Sequence, residues 1–196
     1  MLSAGNARRR GWRAAGRVGA VLLVAALVQA LWAPAAVQAA SAAEIRQDAS
    51  RVLAKLYDRI PEAKELATKA SGILVFPSIV KAGFLVGGLF GEGVLMKEGK
   101  AVAYYNTVAG SYGFQAGVQK YGYAMFFMNP AALQYLDKSD GWEVGTGPSL
   151  VILDQGMAAG FSTSTARSDI YAFIFNQQGL MGGVGLQATK ITRIEK

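Results

Sequence analysis

The sequence predicts an α+β fold in which N-terminal amphipathic helices pack on a strongly curved, Gly-rich, mostly antiparallel β-sheet that tends towards a barrel. Three observations predict it. Apolar residues recur at three- and four-residue steps from Ser41 to Ala70. Beyond that point the chain turns to segments rich in Val, Phe, Tyr and Gly, separated by turn signals. Glycines inside those segments recur four apart, at Gly83, Gly87 and Gly91, Gly113 and Gly117, Gly156 and Gly160, and Gly179 and Gly183. In a strand such pairs share one face, where missing side chains permit sharp coiling or close backbone approach.

Residues 1–39 read as a targeting segment. Arg8, Arg9, Arg10, Arg13 and Arg17 precede an uncharged apolar run over 18–31, too short for the roughly 20 residues of a spanning helix. Val37-Gln38-Ala39 then fits signal peptidase, which predicts a mature chain from Ala40 and a single domain over 40–196. The leader holds five of the 20 basic residues and none of the 13 acidic ones, so its removal takes the net charge from +7 to +2. The basic pI belongs to the leader, and the domain is not expected to bind nucleic acid. Without Cys there is no disulfide and no lipid-modified cysteine after the leader; a periplasmic or secreted protein is expected.

In order along the chain, Ile45, Ala49, Val52, Leu53, Leu56 and Ile60 form one helical stripe. Pro61 opens a second helix carrying Leu66 and Ala70 inward, and Ser71-Gly72 ends it. Strands are predicted near 73–76, 83–90, 93–98, 101–108, 112–119, 122–128, 149–154, 157–164, 170–176 and 180–193. Their turns are read at 91–93, 98–100, 140–141 and 178–179, where glycine admits positive φ. Asn129 and Pro130 start a short helix with Leu133 and Leu136 inside. Most of the aromatic groups, among them Tyr104 with Tyr105, Phe126 with Phe127, and Tyr171 with Phe173 and Phe175, are assigned to the core, and an exposed remainder suits a lipid interface.

Reactive chemistry is scarce. With neither His nor Cys, the chain has no Ser-His-Asp triad, no cysteine nucleophile and none of the usual zinc sites, so no enzyme, metal or cofactor is expected. Glu92 and Asp154 are the carboxylate pair that remains to inspect, and both are read as solvated turn charges. Asp137, Ser139 and Asp140 lack the further ligands of a calcium loop. The sequence GVGLQA at 183–188 matches a dinucleotide fingerprint, but only eight residues follow it, and Gly99-Lys100 lacks the spacing and hydroxyl of a phosphate loop. Gly83, Gly87, Gly113 and Gly117 are therefore read as serving backbone geometry.

The run GILVFPSIVKAGF at 72–84 resembles the opening of SYLF domains. GEGVL at 91–95, YYN at 104–106, SYGFQAG at 111–117, GWEVG at 141–145, YAFIF at 171–175 and GLMGGV at 179–184 extend the likeness in order over 43–194. Eukaryotic members of that family bind phosphoinositide-rich membranes, and some contact actin; bacterial members are short exported proteins. Eukaryotic members carry SH3 or FYVE modules, for which this chain has no room, so what the resemblance implies here is affinity for anionic or hydrophobic lipid. The expected function is a non-catalytic binder of a phospholipid or membrane surface, preferring anionic or phosphoinositide-like headgroups. A protein partner in the envelope is the second expectation. The candidate lipid-binding residues are Arg46, Arg51, Lys55, Arg59, Lys64, Lys69 and Lys81, basic groups gathered on and after the N-terminal helices.

Overall fold

A computed structural model of the chain describes residues 40–138, 142–143, 148–153 and 167–196. The leader, the predicted strand at 157–164, the turn at 140–141, the calcium-loop triplet at 137–140 apart from the backbone of α3 below, Asp154, Gly156 and Gly160 lie outside these residues.

The helices follow the sequence closely. Helix α1 (Ala42–Arg59) starts where the Glu44 N–H donates to the Ser41 hydroxyl at 3.3 Å and the Ser41 N–H donates to the Glu44 carboxylate at 2.8 Å. This reciprocal box satisfies donors that the first turn leaves free. Ile60, placed before Pro61, is sterically excluded from helical backbone and adopts φ −133°, ψ 88°, which ends α1 and lets α2 (Pro61–Lys69) begin. Ile45, Ala49, Leu53 and Leu56 of α1 and Ala63 and Leu66 of α2 are buried, while Val52 and Ala70 are only partly so.

Strand β1 (Gly72–Lys97) turns into β2 (Lys100–Phe127). Glu98 and Gly99 have φ of 50° and 75°, the pair of positive values a two-residue hairpin turn needs to match strand twist. Helix α3 (Pro130–Lys138) follows, with the Ala132 N–H capped by Asn129 Oδ1 at 2.8 Å. Then come β3 (Trp142–Glu143), β4 (Leu150–Leu153) and β5 (Ile170–Ile194). Among the described residues the sheet order is β1-β2-β5-β3, all antiparallel, with β4 paired in parallel to β5. The whole is an α+β domain with a curled half-barrel sheet.

The predicted strands merge: three become β1, three become β2 and two become β5. Two predicted turns are corrected accordingly. Gly91, Glu92 and Gly93 lie within β1, paired with Thr107, Asn106 and Tyr105. Gly179 lies within β5, paired with Gln119. The glycines are there because β1 doubles back on itself. A Cβ on Gly93 would stand 2.5 Å from the Val75 carbonyl oxygen, one on Gly91 2.8 Å from the Ile79 side chain, and one on Gly83 2.6 Å from the Gly87 Cα. Each distance is shorter than any real contact, so the two halves of β1 meet only without side chains there.

The reversal centres on Leu85, a non-glycine residue at φ 62°. Between Phe84 and Val86 the register on β2 jumps from Ala116 to Tyr112, so β2 carries extra residues around the same corner. Smaller bulges bend the sheet elsewhere. Pro77 and Ser78 are the irregular residues of β1 between the pairs Phe76↔Tyr123 and Ile79↔Tyr121, a position where proline breaks no ladder bond.

Side-chain alternation divides the sheet into two buried faces. On one, Val75, Val94, Ala124, Phe126, Tyr171 and Phe173 pack under α1 and α2. On the other, inside the curl, Leu74, Phe76, Leu95, Tyr105, Met125 and Phe127 pack with Leu133 and Leu136 of α3. Adjacent Phe126 and Phe127 are thus both buried because both faces are covered.

Two carboxylates lock the surrounding loops. The Ser149 hydroxyl, then its N–H, then the Asn129 amide donate to Asp169 at 2.7, 2.9 and 2.8 Å and hold its pKa below the ordinary value. The Ser41 N–H, then its hydroxyl, do the same for Glu44. Both groups bind protons less tightly folded than unfolded, so the stability they add is present above their unfolded pKa values, about 4, and drains away as pH falls through the folded ones. Melting temperature should therefore fall on acidification from pH 5 to 3, and fall less steeply in the Glu44→Gln, Asp169→Asn variant.

Candidate membrane-facing site

Six of the predicted basic residues sit on the helices. Arg46, Arg51, Lys55 and Arg59 on α1 and Lys64 and Lys69 on α2 are all solvent-exposed. Arg51, Lys55 and Arg59 are spaced four apart and so form one stripe. Two are already engaged: Arg51 pairs with Asp48, and Arg59 donates to the Asn176 side chain at 3.3 Å. Lys81 is half-buried on β1 and belongs to a different place, the doubled-back corner of the sheet.

That corner is the site the sequence reading passed over. The residues 82–91 in β1, 101–119 in β2 and 170–189 in β5 contain no charged side chain. Part of each stretch is buried, but around the reversal the described side chains face water. Phe84 is 75% exposed, Tyr112 73% and Leu180 88%, with Leu85, Val86 and Val118 also exposed. Register brings them together: Phe84 pairs with Ala116, Val86 with Tyr112, and Val118 with both Ala82 and Leu180. Further along the same strands stand Lys81, Lys120, which pairs with Val80, and Lys190, which pairs with Val108. An apolar tip with lysines further along its strands is the outcome. The signal in the sequence was the absence of charge over long runs, legible only once the strands are known to bend at one level.

Two cavities lie elsewhere. One of about 350 Å³ opens between α1, α2 and the β1–β2 turn, lined by Leu53, Ala54, Tyr57, Ala67, Ile73 and Met96 among others. Burial raises the pKa of Tyr57 there to about 12, so it stays a neutral hydroxyl at physiological pH. A smaller one of about 140 Å³, lined by Ile79, Leu89, Thr107, Tyr121, Tyr123 and Ile191 among others, lies by the inner face. Burial likewise raises Tyr123 and Tyr121. The larger cavity is also lined by Glu98 and by Ser50, whose hydroxyl donates to the Arg46 carbonyl oxygen at 3.0 Å, and among the described residues no three metal-ligating side chains come together.

Glu92 is not the solvated turn charge expected of it. Its side chain is 13% exposed, salt-bridged to Lys196 at 2.8 Å, and accepts the Ala40 N–H at 3.1 Å.

The half-barrel sheet, with α1 and α2 on one face and α3 on the other, thus offers an exposed apolar corner. Residues 108–196, a little under half of the chain, match the family model described as Ysc84, the Las17-binding protein actin regulator, and this part of the chain is similar to SYLF domains. The match takes in the corner segments of β2 and β5 with Lys120 and Lys190, and leaves out α1, α2 and β1, where the seven predicted basic residues lie. Comparison with curated proteins gives no significant match. Lipid or actin-regulator binding is the general function the family suggests.

Proposed function

We propose that the domain is a non-catalytic binder of anionic membrane surfaces in the cell envelope, exported and freed of its leader, and that it docks by its apolar corner. The observation that carries this reading is the apolar tip of Phe84, Leu85, Val86, Tyr112, Val118 and Leu180, with lysines further along its strands. Each fully buried Phe, Leu or Val side chain contributes about 1.5–3 kcal/mol, and each lysine near an anionic surface about 1 kcal/mol. A few of each suffice for reversible binding, with Lys81, Lys120 and Lys190 at headgroup level and the apolar residues below it. The basic stripe on α1 is a second, weaker electrostatic contact, since Arg51 and Arg59 already have partners.

The test is flotation with vesicles of phosphatidylcholine alone or mixed with anionic phospholipid or phosphoinositide, at low and raised salt. The parent should float with anionic vesicles and do so less at raised salt. Phe84→Ser with Leu180→Ser should abolish flotation while leaving the melting temperature unchanged, since both side chains are in water. Changing Arg51, Lys55 and Arg59 together to Ser should reduce flotation only partly. Undiminished flotation of the corner variant would overturn the tip and restore the helix stripe. No flotation of the parent would favour the second reading, a protein partner, which the description of the matched family supports.

A further inference from the structure

The two ends of the described domain meet at a carboxylate in the middle of β1. Glu92 lies within β1 between Gly91 and Gly93, and its pairing with Asn106 fixes its backbone. One carboxylate oxygen, Oε1, is 2.8 Å from Lys196 Nζ. The other, Oε2, accepts the N–H of Ala40 at 3.1 Å. Lys196 Nζ also donates to the Ala40 carbonyl oxygen at 2.8 Å, closing a ring of three contacts around Ala40. The side chains of Lys196 and Glu92 are only 11% and 13% exposed. Ala40 is held from the other side as well, because Ser41 is the cap of α1 and the Tyr104 hydroxyl donates to the Ala42 carbonyl at 3.3 Å.

We infer that Glu92 is a receptor for an α-ammonium group at Ala40, the group that removal of the leader creates. The inference rests on the exported reading above and not on membrane docking. Hydrolysis of the Ala39–Ala40 bond adds water across it: the hydroxyl goes to the Ala39 carbonyl carbon, which leaves as a carboxylate, and the Ala40 nitrogen departs as an amine. At neutral pH that amine takes a proton, since its ordinary pKa is about 7.7–8.0. The nitrogen already stands at hydrogen-bond distance from Oε2. The contact between a neutral amide and a carboxylate thereby becomes an ion pair, at a carboxylate largely shielded from water. The two oxygens of Glu92 serve one cation each, Lys196 on Oε1 and Ala40 on Oε2. Processing thus adds an ion pair that seats the start of α1 on the sheet, and the mature domain is held more firmly than its precursor.

The experiment uses the full chain, expressed with its leader in a secreting bacterial host, with the amino terminus of the recovered protein read by mass spectrometry. The processed protein is then treated with a limiting acetylating reagent at pH 7, and acetylation of the Ala40 α-amine is followed in the parent and in Glu92→Gln. The expected result is slower acetylation in the parent, about tenfold if pairing is worth one pKa unit. Once acetylated, the parent should melt about 2–4 °C lower, a shift that 1 kcal/mol produces in a domain of this size, and Glu92→Gln should show little further change. Equal acetylation rates in parent and variant, or an equal drop in melting temperature in both, would overturn the inference while leaving export intact. An amino terminus found at another residue would overturn it together with the predicted processing site, and would leave the vesicle result untouched.

Discussion

Gly117→Val should destabilise the domain severely. A Cβ at this position would stand 2.1 Å from the Leu180 carbonyl oxygen and 2.8 Å from the Met181 Cα, both backbone atoms of the neighbouring strand. No side-chain rotation relieves that clash, and the glycine φ of 139° is itself hostile to a β-branched residue. Gly117 is also paired with Gly83 on its other side, so a shift of β2 is transmitted to both neighbours. Overpacking and backbone strain together place the cost beyond about 4 kcal/mol, against a total stability of about 5–15 kcal/mol. Gly110→Ala is the matched control, because a Cβ there meets nothing within 4 Å. Circular dichroism through a urea titration should show the control unfolding with the parent and Gly117→Val unfolding at a far lower urea concentration. A parent-like midpoint for Gly117→Val would remove the structural role assigned to this glycine.

Phe173→Ala should cost about 3–5 kcal/mol, the usual range for deleting a fully buried ring. Phe173 is wholly buried between β2, β5 and the helices, with its ring edge-to-face on Phe126, centroids 5.4 Å apart and planes at 82°. Phe173 shares one buried cluster with Leu56 and Leu66, so α1 and α2 should loosen with the sheet. Phe126→Ala in the same background should cost less than its effect alone, because the edge-to-face term, about 0.5–1.5 kcal/mol, is already lost. Strict additivity of the two changes in urea unfolding would show that the rings do not act as a pair.

The parts that were legible in the sequence are those set by neighbours along the chain. Ser41 with Glu44, Ile60 before Pro61, Asn129 before Pro130, and Glu98-Gly99 each dictate backbone within four residues, and each element begins or turns where these signals lie. Gly91, Gly93 and Gly179 misled for a physical reason. A turn and a close approach of two strands both exclude a Cβ, and only the partner, Val75 for Gly93 or Val118 for Gly179, tells them apart. Such partners are many residues away in sequence. The apolar corner was hidden in the same way, since Phe84, Tyr112 and Leu180 become neighbours only through register. Glu92 was misread because its counter-charge, Lys196, stands about a hundred residues further on.

The position of β5 has a consequence for how the chain reaches this state. β2 is flanked on one side by β1, its immediate predecessor, and on the other by β5, which comes last. Until residues 170–194 have been made and docked, β2 offers a long open edge whose segment 101–119 bears no charge to discourage pairing with other chains. Local hairpin formation is fast, whereas closing the β2–β5 ladder must wait for residues 170–194 and close a longer loop. A chain cut short before β5 should therefore aggregate through β2 rather than persist as a smaller sheet, and the nascent protein depends on being kept from its own kind until its last strand arrives.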